Sequence, residues 1–190
     1  MCIIYDVHLI VMLCDCIEEG KEKCAKYWDM DELKSIEKFY ITKRTETVAI
    51  DKGLYSRELK IINKKENSEK NIDQIQFIQW DDHEGISGAY FEKIIKIINM
   101  IDISKKESSN TPVVVHCSAG VGRTGTFICM YNLYHEIMEQ IVDKEQKEIK
   151  FSIMNLVRKI KELRRCSVEN ENQYNVLFLF AKYILNENNE

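Results

Sequence analysis

Residues Thr111 to Phe127 read TPVVVHCSAGVGRTGTF, and no other stretch limits the possible folds as tightly. Val113 to His116 is a β-branched run of strand length. Small or flexible residues follow Cys117, and Arg123-Thr124 opens a helical pattern that continues to about Val142. A strand that empties through glycines into a helix builds a cup for an anion. Gly120, Gly122 and Gly125 let the backbone bend, so that the amides of Ser118, Ala119, Gly120, Val121, Gly122 and Arg123 turn inward as a nest. The helix start adds the positive end of its dipole at the same point. Arg123 can close the cup with a bidentate fork suited to a phosphate. A cysteine in such a field is expected to fall below the free thiol value of about 8.5 and to act as a thiolate nucleophile. Thr124 is placed to donate its hydroxyl to that sulfur. A structural cysteine beside a tight turn is the plainer alternative, but it leaves the arginine and the helix start unexplained.

The rest of the chain supplies an α/β order with an antiparallel stretch. Val7 to Leu13 reads as a strand buried on both faces. Segments at Ile36–Thr42, Thr47–Ile50, Tyr55–Asn63 and Ile72–Gln79 alternate in part, with Asn63–Asn71 read as a charged hairpin loop. Helices are expected from Gly88 onward, with Ser87 as N-cap and Tyr90, Phe91, Ile94, Ile95, Ile97, Ile98 and Ile101 on one face. Others are expected near Arg123–Val142, Ser152–Arg164 and Glu171–Asn186. The expected fold is thus α/β (α+β): a mixed, highly twisted sheet flanked by helices, with the phosphate loop between a central strand and a helix. Its 190 residues fit a single domain, 1–190.

Composition removes several function classes. A net charge of -4 argues against nucleic acid as the main partner. Seven cysteines without metal-ligand spacing read as free thiols of a reducing compartment, cytosolic or nuclear, with no metal and no cofactor expected. No apolar run reaches the ~18 residues of a membrane span, and the opening segment carries Asp6 and His8, unlike a signal peptide. Oligomeric state is not legible.

His-Cys-x5-Arg-Thr-Gly resembles the signature of the cysteine-based protein tyrosine phosphatases, and VVVHCSAGVGRTGTF is similar to the tyrosine-specific branch. Three further stretches carry the likeness in the family's order. IVMLCDCIEEGKEKCAKYW (Ile10 to Trp28) resembles the segment ending Lys-Cys-x-x-Tyr-Trp. IQFIQWDDHEGIS (Ile75 to Ser87) resembles the mobile acid loop, Trp-Pro-Asp-His-Gly, and SVENENQYNVLF (Ser167 to Phe178) the glutamine loop. The resemblance implies hydrolysis of phosphotyrosine in proteins through a phosphocysteine on Cys117, with Arg123 as phosphate clamp. It makes Asp82 the general acid, Gln173 the residue that places the water, Glu18 the carboxylate that orients the arginine, and Lys23 a lysine near the acid loop. His116 and Arg164 become supporting residues behind the loop, though each of these outer positions also reads as an ordinary surface ion pair.

Three departures qualify the match. The acid loop has Asp81 where the family has proline, and Glu84 lengthens the loop beyond the acid. Closure is therefore expected to be less favourable, and one carboxylate's pKa to be raised by its neighbour. Glu169 stands where the family has the first glutamine of Gln-Thr-x-x-Gln, which predicts slow hydrolysis of the intermediate. The family's region before Val7, roughly its first third, has no counterpart in this sequence, so the expectation is a shortened domain, a fragment or a mispredicted start. These features also admit rival readings. One is a phosphotyrosine-binding module that barely turns over. Another is a phosphoinositide phosphatase, disfavoured by Ser118, Ala119 and Val121 where lysines would be wanted, although the basic stripe RKIKELRR (Arg158 to Arg165) keeps it open. A dual-specificity phosphatase is disfavoured by the long acid-loop match. An accessible low-pKa Cys117 is also expected to be peroxide-sensitive, and Cys24, Cys129 and Cys166 have no spacing that marks a resolving partner.

Overall fold

The computed structural model of the chain describes residues 2–28, 39–43, 47–63, 66–108, 111–143 and 148–188. They gather into two compact units, Met1–Gln79 with Lys96–Ser118 and Trp80–Ile95 with Ala119–Glu190.

The first unit carries the sheet. Its strands are β1 (Leu9–Met12), β2 (Ile17–Glu18), β3 (Lys21–Glu22), β4 (Phe39–Lys43), β5 (Val48–Asp51), β6 (Leu54–Asn63), β7 (Ser68–Phe77) and β8 (Val113–His116). The main order is β4-β6-β7-β1-β8, with β5 also pairing with β6, while β2 and β3 form a separate hairpin. β4, β5 and β7 run antiparallel to β6, and β1 runs parallel to both β7 and β8, so the sheet is mixed as expected. With a neighbour on each side and apolar cover on both faces, β1 is wholly buried, which explains its unbroken hydrophobic sequence. Val7 and Ile10 pack with Ile61 and Ile72.

Two expectations need correction. β8 is not central: it ends the strand order, pairing with β1 alone among the described residues. Its four side chains are only half-buried, as a strand with one covered edge allows. The charged segment Asn63–Asn71 is not all loop either. β6 and β7 stay in register to the pair Asn63↔Ser68, because the backbone ladder tolerates polar side chains on an exposed ribbon. The expected strand at Ile36–Thr42 begins within the described residues at Phe39.

The second unit is helical. The helix α1 (Phe91–Glu107) begins here and continues into the first unit. Ser87 caps not α1 itself but the 3-10 turn Gly88–Tyr90 that leads into it, accepting from the amide of Ala89. The helix α2 (Gly122–Val142) buries Phe127, Cys129, Met130, Leu133 and Ile137. α3 (Ile153–Leu163), capped by Ser152, buries Ile153 and Val157. α4 (Glu171–Glu187) buries Gln173, Val176, Leu177, Phe180, Ala181 and Ile184. Helices α3 and α4 pack against α2. The Phe91 ring meets Phe180 edge-on at 5.2 Å.

Candidate active site

The first unit ends in Cys117-Ser118, directly after β8. Cys117 is buried, at 5% exposure. Behind it runs a chain of hydrogen bonds. Arg57 Nη1 donates to Gln74 Oε1 (3.0 Å), Gln74 Nε2 donates to the Tyr27 hydroxyl (2.7 Å), and the hydroxyl lies 2.8 Å from His116 Nε2. His116 Nδ1 is 3.1 Å from the Cys117 carbonyl, which can only accept, so the proton sits on Nδ1 and Nε2 accepts from Tyr27. Every donor in the chain therefore points toward the cysteine. Burial lowers the pKa of His116, opposed by its bond to that carbonyl, and burial also raises the pKa of the Tyr27 hydroxyl. Both groups stay neutral near pH 7. Arg57 Nε donates to the Thr47 hydroxyl (2.9 Å), and its guanidinium stacks 4.5 Å from the Trp28 ring, which compensates a buried cation.

The second segment of the second unit opens with Ala119 to Arg123. Gly120 takes φ +68, the left-handed conformation that a nest of inward amides requires. Helix α2 has no side-chain cap at its N-cap, Val121, which leaves its first amides to the cup. Arg123 is 1% exposed. Its Nη1 donates to the Trp80 carbonyl at 2.9 Å, and its Nη2 pairs with Asp82 Oδ1 at 3.1 Å. Trp80 in turn donates its indole N–H to the Glu84 carbonyl, folding the acid loop back on itself. Asp82 and the signature arginine are thus brought together.

Gln173 is buried in the first turn of α4. Its Oε1 accepts from the Glu169 amide at 2.8 Å, and its Nε2 is buried with no hydrogen-bond partner among the described residues. A Cβ on Gly122 would lie 2.8 Å from that nitrogen and 3.0 Å from Glu169 Oε2, so both side chains reach the loop. Glu169 Oε2 also lies 3.3 Å from His83 Nδ1, whose other nitrogen is 3.6 Å from Asp82 Oδ2. Arg164 Nη2 donates to the Ala119 carbonyl at 3.2 Å from the exposed end of α3.

Of the other expected residues, Thr124 is buried in the first turn of α2. In the first unit, Glu18 lies in β2 and accepts from the Asp15 amide (3.0 Å), while Lys23 comes directly after β3 and its amide donates to the Cys16 carbonyl. Reading the residues alone missed Arg57, Gln74 and Tyr27, and missed His83 as the neighbour of Glu169. Of these, Tyr27 stood inside Lys-Cys-x-x-Tyr-Trp and His83 inside the stretch matched to Trp-Pro-Asp-His-Gly, whereas Arg57 and Gln74 stood in no quoted motif.

The relatives of the chain define its class. The family model described as protein-tyrosine phosphatase matches residues 1–182, and the chain belongs to that family. The chain is 31% identical over 183 residues to tyrosine-protein phosphatase 2 of Dictyostelium discoideum, covering 94% of this chain and 46% of that protein. It is 30% identical over 171 residues to the human tyrosine-protein phosphatase non-receptor type 20, covering 90% of this chain and 38% of the relative. It therefore spans less than half the length of these curated relatives. Among solved structures, the catalytic domain of human protein tyrosine phosphatase non-receptor type 18 superposes with a TM-score of 0.75 at 24% identity, covering 96% of this chain and 62% of that one. PTPN18 in complex with HER2 phosphopeptides gives a TM-score of 0.77 at 23% identity over 96% of this chain and 60% of that chain. The mixed α+β fold is that of these phosphatase domains. No helix among the described residues is long and apolar enough to cross a membrane.

Proposed function

We propose that the chain hydrolyses phosphotyrosine in proteins, in a cytosolic or nuclear setting, by two displacements at phosphorus. Cys117 thiolate attacks in line, and the bond to the tyrosine oxygen breaks as Asp82 gives that oxygen its proton. Water then attacks the phosphocysteine while the Asp82 carboxylate takes the water's proton, releasing phosphate and restoring the thiolate. The amides of Ser118 to Arg123 and the Arg123 guanidinium hold the equatorial oxygens. One observation carries the reading: Asp82 lies 3.1 Å from an otherwise buried arginine. A carboxyl at that distance stands beside any phosphate the arginine holds, as protonation of a leaving group with pKa of about 10 requires. Gln173 and Glu169, both near Gly122, are the groups available to the attacking water. The Glu169 charge there is expected to slow that second step.

A binding-module reading draws support from the same ion pair, since Asp82 competes with phosphate for Arg123. Phosphate release from a phosphotyrosine peptide separates the two readings. The phosphatase reading expects turnover lost in Cys117→Ser and reduced about 100- to 10,000-fold in Asp82→Ala. No wild-type turnover, with saturable peptide binding abolished by Arg123→Met, would establish the module instead.

A further inference from the structure

We propose that the segment preceding and opening α4 tethers the acid loop over Arg123, with Asn170 and Asn172 as positioning residues for Asp82. The inference rests on the phosphatase reading above. Asn170 uses both ends of its amide. Its Oδ1 accepts from the Gln173 amide at 3.0 Å and caps α4, while its Nδ2 donates to the His83 carbonyl at 2.6 Å. Asn172 Nδ2 donates to Glu84 Oε2 at 2.9 Å, the residue that lengthens the loop. Gly85 closes the approach, since a Cβ there would stand 2.6 Å from the Asn172 carbonyl oxygen.

His83 shows what the tether holds. It takes φ 61, the left-handed conformation that a non-glycine residue adopts at a cost of about 1 kcal/mol unless its surroundings fix it. Here its carbonyl is bound by Asn170 and its ring lies between Asp82 and Glu169. Asp82, one residue earlier, is thereby aimed at Arg123. The loop lacks the proline that would restrict its open forms. Contacts from Glu84, Glu169, Asn170 and Asn172 substitute in the closed state for what proline would remove from the open ensemble. A wandering Asp82 slows the first displacement only where a poor leaving group needs a proton, whereas its loss as base in the second slows every ester alike, so the first displacement, read by kcat/KM, isolates its role as acid.

The test compares the wild type with Asn170→Asp/Asn172→Ala. Aspartate keeps the acceptor that caps α4 and loses the donor to His83, so the helix start is preserved. The kcat/KM on a phosphotyrosine peptide is expected to fall about 10- to 100-fold. On an aryl phosphate whose leaving group has a pKa of about 5 it should change less than about twofold, because that ester needs little acid assistance. Amide hydrogen exchange across residues 80–85 of the free protein should quicken about tenfold, with α2 unchanged. Equal losses on both esters, or no loss on either, overturn the positioning role, and unchanged exchange overturns the tether. A wild type inert toward both esters overturns the phosphatase reading itself, and the exchange comparison still decides the tether.

Discussion

The chain behind Cys117 and the tether beside Asp82 are built from opposite materials. In the first unit Arg57, Gln74 and Tyr27 are linked donor to acceptor with low exposure, and the histidine at the end is held neutral by burial. In the second unit the His83 ring is 67% exposed and the Glu169 side chain 42% exposed, so their contact is open to water. A buried polar chain tolerates no missing member, because each unpaired group then bears its full desolvation penalty. An exposed set of contacts loses its members gradually. The Cys117 backbone is thus held by an element whose failure is a folding failure. Asp82 is held by one whose failure is local, which suits the proposed role of a group that approaches and leaves the phosphate in each turnover.

The sharpest way to break this contrast is Arg57→Ala. It removes a buried cation, its bonds to Gln74 and Thr47 and its stack on Trp28, and should destabilise the protein by about 3 kcal/mol in urea unfolding. A loss below about 1 kcal/mol would make the chain ornamental. Tyr27→Phe comes next, leaving His116 Nε2 without its donor and Gln74 Nε2 with only the weak Met12 Sδ acceptor at 3.8 Å, at a cost of about 2 kcal/mol. The pH dependence has a definite sign. Folding holds the pKa of His116 below its unfolded value, so the unfolded chain binds more protons in the window between the two. Stability from this group is complete above about pH 6.5 and is lost as pH falls through the lower folded value. His116→Asn should flatten that acid limb of an unfolding series.

How much of this was legible depends on the range of each interaction. The loop from Cys117 to Arg123 could be read because strand end, glycines and arginine are close in sequence, and the helices because their apolar periods are local. The edge position of β8 could not, since pairing order is set by partners far along the chain. No motif or spacing marked Arg57 or Gln74. On β6 Arg57 shares the buried face of Leu59 and Ile61, but alternation cannot say what a buried arginine bonds to. His83 and Glu169 carried no mutual signal, being 86 residues apart and joined only by tertiary structure.

Gly85→Ala sharpens the comparison from the other side. The new methyl meets the Asn172 carbonyl, so the acid loop must move off α4. Global stability should fall by about 1 kcal/mol, against a larger proportional loss of kcat on phosphotyrosine peptide, because backbone cannot yield as a side chain does. A drop in stability without one in kcat would detach the loop's seat from catalysis.

The smallest effect is expected from Asp81→Pro, which restores the residue the family has at this position. Proline removes open conformations from the loop, for about 0.5 kcal/mol in favour of closure where the backbone accepts its φ. Turnover on a phosphotyrosine peptide should rise by about twofold. The gain should be larger in the Asn170→Asp/Asn172→Ala background, where the tether no longer duplicates what proline does. Equal gains in both backgrounds would mean that tether and proline act on different equilibria, and that the polar contacts from α4 do not stand in for the ring.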